Sequence, residues 1–262
     1  SVTLKGAEFK VTYADGTLIG ENNGIFTTDA NGEILISNLE PGKSVVVTET
    51  KAPDGYIIDT QPQTIVIKAG KTVSLTFANQ PKGDLIIEKR DSVTGEVLPG
   101  AQFRVQTAAG CEVGLDGVIG DSTLTQNGIF TTDAHGQIHI TNLQPGAYVI
   151  TEIKAPDGYV IDTPMTNVVI GTNGDTQTVI IENTPQGSLI IEKRDSVTHE
   201  PLSDAVFRVT TSNGTVVDNA GGAVSSNGLY TTNASGQIII TNLDPDTYIV
   251  TEVEAPEGYQ MD

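Results

Sequence analysis

Three polar residues in the middle of the chain fall at positions where the surrounding pattern calls for buried apolar side chains. Lys89 continues the alternation of LIIEK, Glu152 that of YVITE and Asn183 that of VIIEN. Side chains two residues apart on a strand share a face, so each of the three is predicted to point inward. A buried charge is costly unless it is neutralised, paired or used in chemistry.

Amine, acid and amide together predict a covalent reaction. Burial lowers the pKa of a lysine and raises the pKa of a glutamate, which favours their neutral forms. A neutral Lys89 amine is a nucleophile, and the side-chain carboxamide of Asn183 is the electrophile. Glu152 would polarise that carboxamide and carry protons. The expected product is a Lys89–Asn183 isopeptide bond, formed once; the alternative is a buried ion pair with an amide neighbour, which stability alone explains poorly.

The strands that must position these residues belong to a module that occurs three times. TETKAPDGY at 48–56 returns as TEIKAPDGY at 151–159 and as TEVEAPEGY at 251–259. A period of about 100 residues indicates a domain rather than a solenoid turn. We expect module one at 1–80, module two at 84–185 and module three at 188–262. Short connectors that contain or adjoin proline favour an elongated, semi-rigid rod.

The outer modules carry only part of the reactive set. Module one has the equivalents Glu49 and Asn79, but its lysine strand is missing, and Lys5 aligns with a proline and is not expected to substitute. Module three has Lys193 and Glu252 without an asparagine. A crosslink is therefore expected in module two alone. The unequal copies also suggest a piece of a longer repetitive protein, in which module one lacks its first strand and module three its last.

The pattern within module two predicts an all-β fold. Short alternating runs separated by glycine-rich and asparagine-rich turns indicate seven strands with no helix between them, which is typical of a β-sandwich. The strands are expected near 85–90, 102–106, 128–131, 137–141, 147–153, 167–170 and 178–182. The modules differ most in length around 110–126, which is predicted to be a surface loop.

Composition narrows the classes of partner. The formal charge is −19 and the pI about 4.3, which disfavours nucleic acid and anionic surfaces. No segment has the apolar length needed to insert in a membrane. The single cysteine, Cys111, cannot form an intrachain disulfide and is interpreted as an incidental loop residue.

No cofactor or metal is expected from the sequence. His135, His139 and His199 are scattered on strand-like or turn-like sequence, which does not make a zinc site. The acidic cluster DANGE, which begins at Asp29, fits a tight turn better than a calcium loop. The chain has no serine–histidine–aspartate pattern and no phosphate-binding loop, so it is not expected to be an enzyme beyond a single self-crosslinking turnover.

Several short motifs together resemble a known family. They are the K-x-D strand (Lys89, Asp91), the GAxF start, the turn before T-N-L-x-P-G-x-Y, the E-x-x-AP-x-GY box and the closing strand with asparagine. This set is similar to the Cna protein B-type or SpaA-like modules of Gram-positive surface adhesins and pilins. The resemblance implies a transthyretin-like sandwich, secretion to the cell wall, and a spontaneous lysine–asparagine isopeptide bond with the box glutamate as catalyst.

Three functions remain open on the sequence. The first is a structural stalk of a cell-wall-anchored extracellular adhesin or pilin-like protein, whose partners are neighbouring modules. The second is binding of a host or extracellular-matrix ligand through the variable loops. The third is an accessory module of a secreted hydrolase.

Overall fold

The computed structural model describes residues 2–120, 128–218 and 225–261. Apart from a single 3₁₀ turn at Asn22–Gly24, the regular elements of this part of the chain are strands. Module one contains β1 (Glu8–Tyr13), β2 (Ile25–Thr27), β3 (Ser44–Lys51), β4 (Tyr56–Ile57), β5 (Gln63–Val66) and β6 (Gln80–Pro81). Module two contains β7 (Gly83–Asp91), β8 (Gln102–Thr107), β9 (Ile129–Thr131), β10 (Gln137–Leu143), β11 (Gly146–Lys154), β12 (Tyr159–Ile161), β13 (Met165–Ile170) and β14 (Thr176–Pro185). Module three contains β15 (Gly187–Glu192), β16 (Val206–Thr211), β17 (Leu229–Thr231), β18 (Gln237–Leu243) and β19 (Tyr248–Glu254). The prediction of tandem all-β modules is confirmed.

Module two is built from two four-stranded sheets. One has the order β10-β7-β14-β12 and the other the order β13-β11-β8-β9. Their facing residues form one apolar core, in which Leu85, Phe103, Ile140 and Ile150 are fully buried. The first and last strands, β7 and β14, lie side by side and parallel, with Ile181 opposite Lys89.

Each of the seven strands predicted for module two overlaps an observed strand, but β12 was missed. This strand has three residues and pairs with β14, Tyr159 lying opposite Pro185 and Ile161 opposite Asn183. Because it is held by a partner far along the chain, its own sequence carries no alternation long enough to indicate a strand.

Module one has no equivalent of β7 among its described residues. The segments 34–39 and 71–79, which correspond to β10 and β14, therefore have no ladder partner and are not strands. Segment 71–79 still covers the core, where the ring centroid of Phe77 lies 4.8 Å from that of Phe9. Segment 71–79 is thus packed on the core without backbone pairing to a neighbouring strand.

Module three has the first strand of the module, β15, but not the last one among its described residues. Its β15 pairs with β18 in a two-stranded sheet, while β17, β16 and β19 form the facing sheet. Within the described residues, no strand corresponding to β14 lies along the other side of β15.

The connectors between modules are fixed by the same backbone hydrogen bond at both junctions. The N–H of Lys82 donates to the carbonyl of Gly55 at 2.8 Å, and the N–H of Gln186 donates to the carbonyl of Gly158 at 2.7 Å. Both acceptors are the glycine of the APDGY box. At the second junction the Gln186 side chain also donates to Asp244 of module three at 2.8 Å.

The structure also places the lone cysteine and the acidic turn that were interpreted from the sequence. Cys111 is an exposed free thiol. In the DANGE sequence, Asp29 Oδ1 accepts the N–H groups of Asn31 and Glu33 at 2.8 and 3.0 Å, as a tight turn requires. Part of the variable loop, residues 121–127, lies outside the described residues. No helix in the described part of the chain is long and apolar enough to cross a membrane.

Candidate functional site

Lys89 is placed in the interior by the alternation of β7. Every second residue of this strand from Gly83 to Asp91 is buried, and the Lys89 side chain is 0% exposed. Its Nζ lies 3.4 Å from Glu152 Oε2 and donates to the carbonyl of Ile181 at 3.3 Å. The amine therefore sits between the two sheets, against an acid and the backbone of the neighbouring strand.

Glu152 reaches the same point from the opposite sheet. It lies on β11 opposite Phe103 of β8, next to a register irregularity before Lys154. Its residue is 5% exposed. One carboxylate oxygen faces the Lys89 amine, and the other, Oε1, accepts a hydrogen bond from Asn183 Nδ2 at 2.6 Å. This single carboxyl group thus contacts both of the other residues.

Asn183 completes the set from β14. Since β14 is parallel to β7 and Ile181 lies opposite Lys89, the residue two positions later presents its side chain to the same interior. Asn183 is fully buried. Its Oδ1 has no hydrogen-bond partner among the described residues, which is unusual for a buried polar atom.

Burial shifts the pKa values of both Lys89 and Glu152. Burial lowers the pKa of Lys89, and the nearby Glu152 carboxylate opposes this only in part. Burial also raises the pKa of Glu152, against the opposing effects of the Asn183 hydrogen bond and the Lys89 charge. Both directions favour transfer of a proton from the ammonium to the carboxylate, which leaves a neutral amine and a neutral acid.

Module one brings its two equivalents together without a lysine. Asn79 Nδ2 donates to the two oxygens of Glu49 at 2.9 and 2.7 Å, and the N–H of Asp59 donates to Glu49 Oε2 at 2.7 Å. Glu49 is 2% exposed, whereas Lys5 is exposed on the surface. This carboxylate is stabilised by three hydrogen bonds, and Lys5 does not take the place of Lys89.

Module three brings together the other two members. Lys193 Nζ lies 2.9 Å from Glu252 Oε2, with 12% and 9% of the two side chains exposed. Glu252 Oε1 is buried and has no hydrogen-bond partner among the described residues. The complete set of amine, acid and amide therefore occurs in module two.

A buried threonine that sequence reasoning missed fixes the segment that leads into β8. Thr132 Oγ1 accepts the N–H of Ala101 at 3.0 Å and donates to the carbonyl of Leu98 at 2.9 Å. Thr28 and Thr232 make the same two bonds in the other modules. The signal was available, because each module has a second threonine after its IFT or LYT strand.

A second contact missed from the sequence joins two of the motifs. Tyr159 OH, at the end of the box, donates to Asp91 Oδ2 at 2.9 Å, and Tyr259 makes the same bond to Asp195 at 3.0 Å. The K-x-D and GY patterns are both visible in the sequence, but nothing in their separation along the chain shows that they meet. Among the described residues no cluster of histidine, cysteine and carboxylate side chains could hold a metal ion.

Comparison with known proteins gives consistent matches along the chain. The SpaA prealbumin-like fold domain matches residues 1–81, 83–185 and 187–262. Serine-aspartate repeat-containing protein F of Staphylococcus epidermidis is 27% identical over 269 residues, covering 91% of this chain and 15% of that protein.

Two solved structures are among the proteins that the chain matches. The Bacillus anthracis TIE protein is 29% identical, with 99% of this chain and 44% of that chain covered and a TM-score of 0.45. A streptococcal ancillary pilin is 22% identical, with 85% and 69% covered and a TM-score of 0.42. The resemblance inferred from the motifs is confirmed by the domain matches, which together take in nearly the whole chain. The chain therefore belongs to the SpaA prealbumin-like fold domain family.

Proposed function

We propose that this chain is a structural stalk segment of an extracellular, cell-wall-anchored adhesin or pilin-like protein, strengthened by an isopeptide bond between Lys89 and Asn183. The observation that carries the proposal is the buried Glu152 carboxyl group, 3.4 Å from the amine on one side and 2.6 Å from the amide on the other. A stalk built from modules at about 1–80, 84–185 and 188–262 would hold a distal part of the protein away from the cell. The chain spans about 15% of its curated relative, so the proposal concerns this segment's part in a larger protein.

The chemistry begins with a proton transfer inside the site. Lys89 gives one proton to Glu152, and the neutral Nζ attacks Cγ of Asn183. In the structure, Asn183 Oδ1 accepts no hydrogen bond from the described residues. Rotation of the carboxamide by half a turn brings this oxygen to the protonated Glu152. The acid then stabilises the negative charge that develops on this oxygen.

The second half of the reaction expels ammonia. The attacking nitrogen loses a proton through Glu152, which passes it to the leaving amino group as the Cγ–Nδ2 bond breaks. The products are one secondary amide and one ammonia. The ammonia takes up the proton that Lys89 first gave to Glu152 and leaves as an ammonium ion. Glu152 ends as it began, and the reaction happens once per module.

The topology explains what such a bond would do under load. The chain enters module two at the start of β7 and leaves at the end of β14, and these strands are parallel neighbours. Tension along the chain therefore acts between the two strands that Lys89 and Asn183 would join. With the bond in place, the residues between them would carry none of the load, because the covalent path bypasses them.

The family and the curated relative support the surface role. The motifs are those of Gram-positive surface modules, and the matching relative is a serine-aspartate repeat-containing protein of Staphylococcus epidermidis. The strongly negative charge suits a long repetitive protein that must stay soluble.

Intact-mass spectrometry of the purified chain tests the proposal. The chain should weigh one ammonia less than its sequence, and Lys89→Ala should restore the full mass. Lys193→Ala is the matched control, because it removes the equivalent lysine from a module without the asparagine and should leave the ammonia loss unchanged. A full mass for the unsubstituted chain would refute the bond.

A further inference from the structure

The hydrogen bond between Tyr159 and Asp91 spans the strand that carries Asn183. Tyr159 lies on β12, opposite Pro185 of β14, and Asp91 lies on β7, opposite Asn183. In this sheet β14 runs between β7 and β12. The 2.9 Å bond from Tyr159 OH to Asp91 Oδ2 therefore ties together the two strands on either side of β14.

Asp91 is a fixed and charged acceptor for this bond. Its Oδ1 accepts the N–H groups of Val93 and Thr94 at 2.7 and 2.9 Å, and the residue is 5% exposed. These backbone hydrogen bonds lower the pKa of Asp91, while the bond to the carboxylate raises the pKa of Tyr159. A hydrogen bond to an ionised acceptor is stronger than one between neutral groups.

The same bond forms in module three without a neighbouring closing strand. Tyr259 OH donates to Asp195 Oδ2 at 3.0 Å, although no strand corresponding to β14 is present there among the described residues. The first strand and the box are thus enough to make the bond.

We propose that Asp91 and Tyr159 are positioning residues for amide formation at Lys89. Their bond clamps β7 and β12 across β14 and holds the Asn183 carboxamide in register with the amine. The side-chain hydrogen bonds of the pair join Asp91 to Tyr159 and to the backbone N–H groups of Val93 and Thr94, so both residues act through the alignment of Lys89 and Asn183. This inference rests on the proposed isopeptide bond.

The sensitivity of the reaction to alignment makes the inference testable. Attack on a carboxamide needs the reacting atoms about 3 to 3.5 Å apart, and a displacement of about 1 Å is enough to slow such a step up to about a hundredfold. Tyr159→Phe keeps the ring and removes only the donor. The full chain would be made by cell-free synthesis, sampled over time and weighed for ammonia loss, and the Tyr159→Phe chain should react roughly tenfold more slowly.

Two further variants separate alignment from general stability. Tyr259→Phe is the matched control, since it removes the same bond from module three and should leave the rate in module two unchanged. The asparagine in Asp91→Asn can still accept the backbone N–H groups and pair with the tyrosine hydroxyl. The Asp91→Asn chain should therefore lose ammonia faster than the Tyr159→Phe chain, at a rate closer to that of the unsubstituted chain. Hydrogen exchange of β8 and β11, measured in the same samples, should be unaltered in Tyr159→Phe.

The outcomes distinguish this inference from the proposed function. If the unsubstituted chain never loses ammonia, the isopeptide bond fails and the positioning role fails with it. If that chain reacts and Tyr159→Phe reacts equally fast, the bond stands and the positioning role is refuted. A slower rate accompanied by loss of protection in β8 and β11 would show general destabilisation and would also overturn the positioning role.

Discussion

Replacing Glu152 by glutamine should both stop the crosslink and expose how much stability the crosslink provides. Glutamine has nearly the same shape and can still hydrogen bond to Asn183, but an amide cannot take a proton from Lys89 or return one to the leaving group. The Glu152→Gln chain should therefore keep its full mass. The loop that would otherwise be closed between Lys89 and Asn183 contains nearly a hundred residues.

The expected loss of stability follows from the length of that loop. By analogy with disulfides, closing a loop of about 100 residues stabilises a folded domain by about 4 to 5 kcal/mol through chain entropy. For a domain of this size, about 1 kcal/mol corresponds to about 4 to 8 °C in Tm. Module two of the Glu152→Gln chain should therefore unfold roughly 16 to 40 °C lower than in the unsubstituted chain, which differential scanning calorimetry of the full chain would measure.

Module one supplies the control for this experiment. Glu49→Gln makes the same substitution at the equivalent box position, where Asn79 is present but the lysine is not. It should not change the mass deficit of the chain, and it measures the effect of losing the buried carboxylate alone. An unchanged ammonia loss in Glu152→Gln would refute the catalytic assignment, and a full mass without a lower Tm would refute the argument from loop closure.

Two further predictions concern contacts that recur between modules. Thr132→Val should destabilise module two by about 1 to 3 kcal/mol, because the buried N–H of Ala101 loses its acceptor; Thr132→Ser, which keeps the hydroxyl, should recover most of this in urea unfolding. In module three, backbone N–H groups and then Tyr259 lower the pKa of Asp195 from 3.8 to about 2. A lowered pKa in the folded state gives stability that is present above the unfolded value and is lost as the pH falls from about 4 to about 2. Acid titration followed by hydrogen exchange should show this loss, and Asp195→Asn should abolish this part of the pH dependence; an identical acid response in both chains would contradict it.

Much of the candidate site could be predicted because strand alternation is a local signal. Lys89, Glu152 and Asn183 each end a row of alternating apolar residues, and the structure places all three side chains in the interior where that alternation puts them. The repeat adds a second signal, because Glu49 and Glu252 occupy the same position as Glu152 in the other two copies of the box.

The remaining features depend on pairing between distant segments. The short strand β12 exists because it pairs with β14. Segment 71–79 alternates like β14 but is not a strand, because no partner strand lies beside it among the described residues. The bond between Tyr159 and Asp91 likewise depends on the order of strands in the sheet. No pattern within either motif encodes that order.

The recurring bond at the connectors has a consequence for how such a protein changes in length. The donor is the connector residue and the acceptor is the box glycine of the same module, as in Gln186 and Gly158. Modules one and two thus each fix the start of the connector that follows them. Duplication or deletion of whole repeats would alter the reach of the protein while leaving each joint, and the strength of every surviving link, as it was.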